Sequence, residues 1–252
     1  MAGTIFLYLY WPSFNAALAP SINQQRIVVS TALAISASCI CACSISRLIH
    51  GVLDMEIVLN ATLAGGVCIG ACVDMLVDPF AAIIVGGVAG IISAIGFAYL
   101  TGALKKTIGL HDTCGVNNLH GMPGILGGIT SAIVAASAGQ TFKNKDAIAF
   151  TFPKVAEGRT FQQQAGYQLA ALGVTLAISI LGGAFSGFCA SRIGRAVQHL
   201  FDDEEHWHHC AYDVPLEEEE VVPAKGSYFD ENAQDDRNGE HEEESDGKEN
   251  IQ

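Results

Sequence analysis

Six stretches of the 252-residue sequence carry no Asp, Glu, Lys or Arg: residues 1–25, 27–46, 57–73, 79–104, 113–142 and 160–191. A helix needs about 20 apolar residues to cross the bilayer core, and each stretch approaches or exceeds that length. Within them the apolar character runs all the way round. The segment 80–100, FAAIIVGGVAGIISAIGFAYL, has no polar stripe of the kind a half-solvated helix keeps. The pattern predicts an all-α polytopic membrane body with spans near 3–20, 28–48, 57–76, 80–100, 115–137 and 166–190. The opening run MAGTIFLYLYWPSFNAAL lacks the basic region and cleavage pattern of a secretory leader, so it reads as the first span.

The connections are short except for 138–165, where Lys143, Lys145, Asp146, Lys154, Glu157 and Arg159 predict a water-facing loop. Six spans place both termini on one side. Basic residues do not choose that side by number, since Arg47, Lys105, Lys106, Arg192 and Arg195 on one face balance Arg26, Lys143, Lys145, Lys154 and Arg159 on the other. Arg192 and Arg195 hug the membrane, whereas most of the opposing charges sit in the longest loop, where the positive-inside rule weakens. The termini are therefore expected on the cytoplasmic side.

Composition agrees with this picture: mean hydropathy is +0.34, half the chain is hydrophobic and 15% is charged. The net charge of -13 does not belong to the body. Residues 1–200 hold 7 acidic and 10 basic residues, and residues 201–252 hold 19 acidic and 3 basic. Two parts are expected: a transmembrane body of about six helices over 1–200, and an acidic, largely disordered cytoplasmic tail over 201–252. A positive footprint for nucleic acid is missing, and trafficking or cytoskeletal contact is the sharper role open to the tail. His206, His208, His209 and Cys210 fit a short membrane-proximal helix ending near Cys210 better than a closed metal site. The other cysteines read as small buried side chains, and neither metal nor cofactor is expected.

Polar groups inside spans are costly and point to function. Asp74 and Asp78 flank a span boundary, and His50 and His199 border spans, so interfacial placement accounts for them. Asn15, Asn60, Asn117, Asn118 and His120 are harder to dismiss. His120 leads because it sits within 113–142, between the paired asparagines and a turn-like Gly121, Met122, Pro123, Gly124 insert. A neutral imidazole offers one donor and one acceptor, enough to pass a small polar solute along a dry path; the plain alternative is a packing histidine bonded to a carbonyl. Asp112 stands eight residues earlier, two turns away on the same side if helical, where it could hold a network together or attract a cation. Phe14, in YWPSFN, fits core filler, an interfacial aromatic or a ring that closes a narrow pore. The many glycines in the spans read first as close helix packing.

The runs FLYLYWPSFNAAL, NATLAGGVCIGACVDMLVDPFAAIIVGGVAGIISAIGFAYL and HDTCGVNNLHGMPGILGGI resemble the ammonium transporter and Rhesus glycoprotein family over residues 3 to 195. The forms NNLHGMPG and DTCG resemble its Rh branch, and the tail resembles types B and C in general character. The resemblance implies that His120 is one of the paired pore histidines, that Phe14 is one of two phenylalanines closing the outer vestibule, and that Asp112 is the aspartate preceding the histidine. It implies ammonia or ammonium as the passenger, with carbon dioxide as a further one, and a homotrimer with one pore per subunit in the lipid bilayer.

Members of that family have two inverted five-span repeats with the pore between them. This chain corresponds to the second repeat plus the final helix. Half a pore would expose polar lining to lipid, so the chain reads as a truncated product, isoform or partial sequence that does not conduct alone. The alternative is a non-conducting structural or regulatory membrane subunit. A membrane enzyme is not expected, because the body offers few acid, base or nucleophile groups and its acidic groups mostly flank spans.

Overall fold

The computed structural model describes residues 1–76, 78–141 and 145–193, and the elements described are all helical. They are α1 (Ala2–Ala16), α2 (Ser21–His50), α3 (Met55–Gly70), α4 (Pro79–Ile95), a π-helical turn (Gly96–Leu100), α5 (Thr101–Ile108), a second π-helical turn (Asn117–Gly121), α6 (Met122–Thr141), α7 (Lys145–Thr151), α8 (Pro153–Ala156) and α9 (Phe161–Ile193). The predicted tail, the helix near Cys210 and the histidine cluster lie outside the described residues.

Among the described residues, four helices are long and apolar enough to cross a membrane: Ser21–His50, Pro79–Ile108, Asn117–Gln140 and Phe161–Arg192. The expectation of six full spans is corrected at α1 and α3, which have 15 and 16 residues. At 1.5 Å per residue they reach only about 22–24 Å. Residues 57–76 are not one helix. The chain leaves α3 after Gly70 and turns, burying Cys72, Val73, Met75 and Leu76. Arg26 of α2 closes this turn, its Nη1 donating to the carbonyls of Val73 (3.3 Å) and Leu76 and its Nη2 to that of Asp74 (2.9 Å). A guanidinium suits such a place because it brings several donors in a fixed fork.

Helix ends follow local chemistry. Asp54 accepts from the Ile57 amide (3.1 Å) and Asp78 from the Phe80 amide (2.9 Å), the latter with Pro79 at the first helical position. Gly51 and Gly109 stop α2 and α5 with φ of 73° and 65°.

Helices α2, α3 and α4 pack on one another through small residues. A Cβ on Gly65 or Gly86 would strike the backbone at Ala34, and one on Gly90 would strike Ser38. Backbones this close are how helices associate where lipid is as apolar as leucine. Ser38 Oγ stands between two partners of α3's own ladder, donating to the Ala61 carbonyl (2.6 Å) and accepting from the Gly65 amide (3.1 Å). Helix α1 lies across α2 and α3, with the Tyr8 and Ser36 hydroxyls 2.8 Å apart. On the other side α6 packs on α3, where Gly127 meets the Cys68 carbonyl, and α9 packs on α6, where Leu172 covers Gly128.

The connection expected to be a water-facing loop is largely helical. Phe152 anchors it, 3% exposed and edge-to-face with Phe161 at 6.0 Å. Cys68 and Cys72 are buried as expected, whereas Cys114 is exposed.

Candidate functional site

Helix α1 is held to the body by side chains one turn apart. Asn15 Nδ2 donates to Thr31 Oγ1 and to the Gly66 carbonyl, each at 3.3 Å. Trp11 lies against the same glycine, with its Cδ1 and Nε1 3.0 Å from where a Gly66 Cβ would stand. Asn15 is thus an anchor of α1. Trp11 then faces His120, ring centroids 6.4 Å apart and planes 19° from parallel. Phe14, three residues along from Trp11, is 77% exposed.

His120 lies in the second π-turn. Its neighbours Asn118 and Leu119 are buried, yet His120 itself is exposed. The turn has a local cause: Pro123 has no N–H, and its ring crowds the carbonyl four residues back, so the ladder loosens just before it. The Met122 amide accordingly reaches the Asn117 carbonyl, five residues back. The expected turn at 121–124 is corrected: Met122 begins α6, and Pro123 is a buried residue of its first turn.

Asp112 is not two helical turns below His120, since residues 109–115 are not helical. It instead caps the helix that carries His120. Its Oδ1 accepts from the Val116 amide and its Oδ2 from the Asn117 amide, both at 2.9 Å. Of the two uses open to it, holding the backbone is the one its geometry shows. Asn117 Nδ2 donates to Asn118 Oδ1 (3.3 Å), and Asn118 Nδ2 donates to Thr101 Oγ1 (2.6 Å). The structure therefore gathers His120, Asn117, Asn118 and Asp112 at one helix start. Asn15 and Phe14 belong to α1, which reaches His120 through Trp11. Sequence reasoning passed over Trp11; the available signal was its spacing of three and four from Phe14 and Asn15, which puts all three on one helix face.

Beside His120, Trp11 packs on a buried apolar cluster of Leu63, Ala64, Cys68, Ala89 and Leu119. Such a site can accept or donate one hydrogen bond at the imidazole, offer an aromatic face beside it, and make a bare ion costly. A separate cleft of about 300 Å³, lined by Asp74, Met75, Phe152, Arg159 and Gln164 among others, shares none of these residues.

Residues 1–211 match the model of the Ammonium Transporter Family. Over 228 residues the chain is 39% identical to the ammonium transporter Rh type C of Oncorhynchus mykiss, covering 87% of this chain and 45% of that protein. Against the human Rh type C protein it is 43% identical over 192 residues, covering 74% and 40%. The solved structure of Nitrosomonas europaea Rh50 superposes with a TM-score of 0.64 at 28% identity, covering 97% of this chain and 54% of that one. A sensor Amt protein gives 0.60 at 25% identity, covering 77% and 44%. The chain thus spans about half the length of the relatives it matches.

Proposed function

Because the chain belongs to the Ammonium Transporter Family, we propose that its helical body forms one wall of a transmembrane pathway for ammonia, with His120 as the group that hands the solute along. The observation that carries this is the presentation of His120. It is exposed from the apolar, membrane-length helix Asn117–Gln140, while Asn118 and Leu119 just before it are buried. An imidazole in that position faces protein or water and not hydrocarbon. The stacked indole of Trp11 supplies a flat apolar wall, and the exposed ring of Phe14 sits on the same helix as a closing group.

On this reading the body is the second inverted repeat of the family fold plus its final helix, and the facing wall comes from polypeptide outside residues 1–193. The solved Rh50 relative is described with a mechanism of conduction by the Rhesus family of channels. Ammonia passes as the neutral molecule, because a dry path holds no water to solvate the ammonium charge. Asp112 acts by capping. Carbon dioxide is a second passenger, and the assembly is a homotrimer in the plasma membrane. The acidic tail over 201–252 is a separate cytoplasmic part, available for trafficking or cytoskeletal contact.

The test is ammonia or methylammonium uptake into vesicles prepared from membranes in which the chain is assembled as the cell makes it. Uptake above that of empty vesicles, falling about tenfold or more in His120→Ala, is the expected result. Uptake indifferent to His120→Ala removes His120 from the pathway. Absence of uptake makes the chain a non-conducting structural or regulatory subunit. The purified polypeptide alone is expected to be silent.

A further inference from the structure

The second π-turn does not stand by itself. The other one, Gly96–Leu100, touches it, and the two are keyed together by shape. Gly96 has no side chain because Met122 and Asn118 occupy that space, with Asn118 Oδ1 2.8 Å from where a Cβ would be. In return Phe97 fills the space over Gly115, whose φ is 63°. Each turn closes with an amide reaching five residues back, Thr101 to Gly96 in one and Met122 to Asn117 in the other. Between them lies one side-chain bridge, from Asn118 Nδ2 to Thr101 Oγ1.

Asn118 is 0% exposed, so its amide has no water to fall back on. Its oxygen is met by Asn117 and its nitrogen by Thr101. Thr101 is half-buried, and it takes part twice: its amide closes the first π-turn and its hydroxyl receives the second. Removing that hydroxyl leaves a buried N–H without an acceptor, which is relieved only if the Asn118 side chain turns away. Packed against Gly96, Asn118 has little room to turn about its own side-chain bonds, so a change of register of its turn is the larger movement open to it. Going from π to α register rotates a helical side chain by about 100°, the angle of one residue. His120, two residues beyond Asn118, would then leave the face of Trp11.

We infer that Thr101 is a positioning residue for His120, acting through Asn118 across the paired π-turns. The functional meaning rests on the pathway reading above, but the geometry is testable without transport. The chain has two tryptophans, Trp11 and Trp207. In a Trp207→Phe background Trp11 is the sole emitter, and protonating an imidazole stacked on it quenches its emission. His120→Ala should abolish this acid quenching, which assigns the signal. Thr101→Val, equal in shape but without the hydroxyl, should cut the quenching about twofold or more, and Thr101→Ser should restore it.

Parent-level quenching in Thr101→Val overturns the inference, as does a Thr101→Ser chain that behaves like Thr101→Val. Should Thr101→Val fail to fold, Thr101→Cys, whose thiol is a weak acceptor, should quench to an intermediate degree; parent-level quenching there overturns it equally. Methylammonium uptake separates the two claims. Lost quenching in Thr101→Val with uptake unchanged in His120→Ala sinks the pathway reading and leaves the positioning intact. Uptake lost in His120→Ala with quenching intact in Thr101→Val sinks the positioning alone.

Discussion

Trp11 and His120 lie nearly parallel, 6.4 Å between ring centres, although they are 109 positions apart in sequence. One comes from α1 and the other from the π-turn that starts α6, and α3 holds both: Gly66 seats the indole and Cys68 packs in the same cluster. The contact is therefore a readout of how α1 sits on α3.

Gly66→Ala tests that seat. Its new methyl would meet Trp11 Cδ1 and Nε1 at 3.0 Å and Ile35 Cδ1 at 3.1 Å, tight enough that these side chains must shift to make room. Overpacking of this kind costs about 1–3 kcal/mol. Trp11 emission should change together with stability. An unaltered emission spectrum would show that the glycine is not what sets the ring.

Asp112→Asn and Asp112→Ala distinguish capping from attraction of a cation. Both carboxylate oxygens accept backbone N–H groups, so alanine should cost about 0.5–2 kcal/mol in thermal unfolding, and asparagine, which keeps one oxygen, distinctly less. Uptake should follow the same order. Equal loss of uptake in the two variants, at equal stability, would mean that the charge is what matters.

Ser38→Ala should be mild, about 0.5–1.5 kcal/mol, because the Ala61 carbonyl and Gly65 amide can bond to each other once the hydroxyl is gone. Ser38→Val should cost more, about 1–3 kcal/mol, since its extra bulk enters the close approach of Ser38 to Gly65 and Gly90. Unfolding of the two variants in mixed micelles checks the order, and a valine no worse than alanine would contradict it.

Asp74 predicts a pH dependence. Loss of hydration at the cleft raises its carboxyl above the ordinary value, against the amides of Asp74 and Met75 and the Arg26 guanidinium, which lower it. The folded chain then holds this proton more tightly than the unfolded chain, so the contribution is present below about pH 4 and is lost as pH rises through the folded value. Asp74→Asn should therefore raise the melting temperature at neutral pH, with the difference vanishing in acid. A pH-independent difference would refute this origin.

The spans were legible because charges are absent from them, and that is a property of single residues. Charge-free length did not separate a helix from a helix plus a buried turn. Residues 71–76 are as apolar as α3, and what bends them is Arg26, 47 positions before Val73. The π-turns were hidden for a similar reason. Pro123 gave half of the cause, but the other half is the meeting of Gly96 with Asn118 and Met122 across the fold. His120 was legible as a polar residue in a long apolar stretch. Thr101 was not, because a threonine near a helix end attracts no notice until Asn118 is seen to need it.

The hydroxyl of Ser38 bears on how α2 and α3 find each other in a bilayer. Before docking each helix is self-sufficient: a serine can bond back to the carbonyl four residues earlier, as Ser36 does to Ala32 at 2.8 Å, and the Gly65 amide has Ala61 within its own ladder. Neither helix carries an orphaned group into the lipid. On docking, the Ser38 hydroxyl exchanges a carbonyl of its own helix for that of Ala61, leaving the number of bonds much the same. The recognition energy then comes from the close fit of Ala34 and Ser38 against Gly65, while the hydrogen bonds set the register at which the helices stop sliding. A pair that meets by exchange can also part without stranding a polar group, so mispaired helices are free to separate and try again.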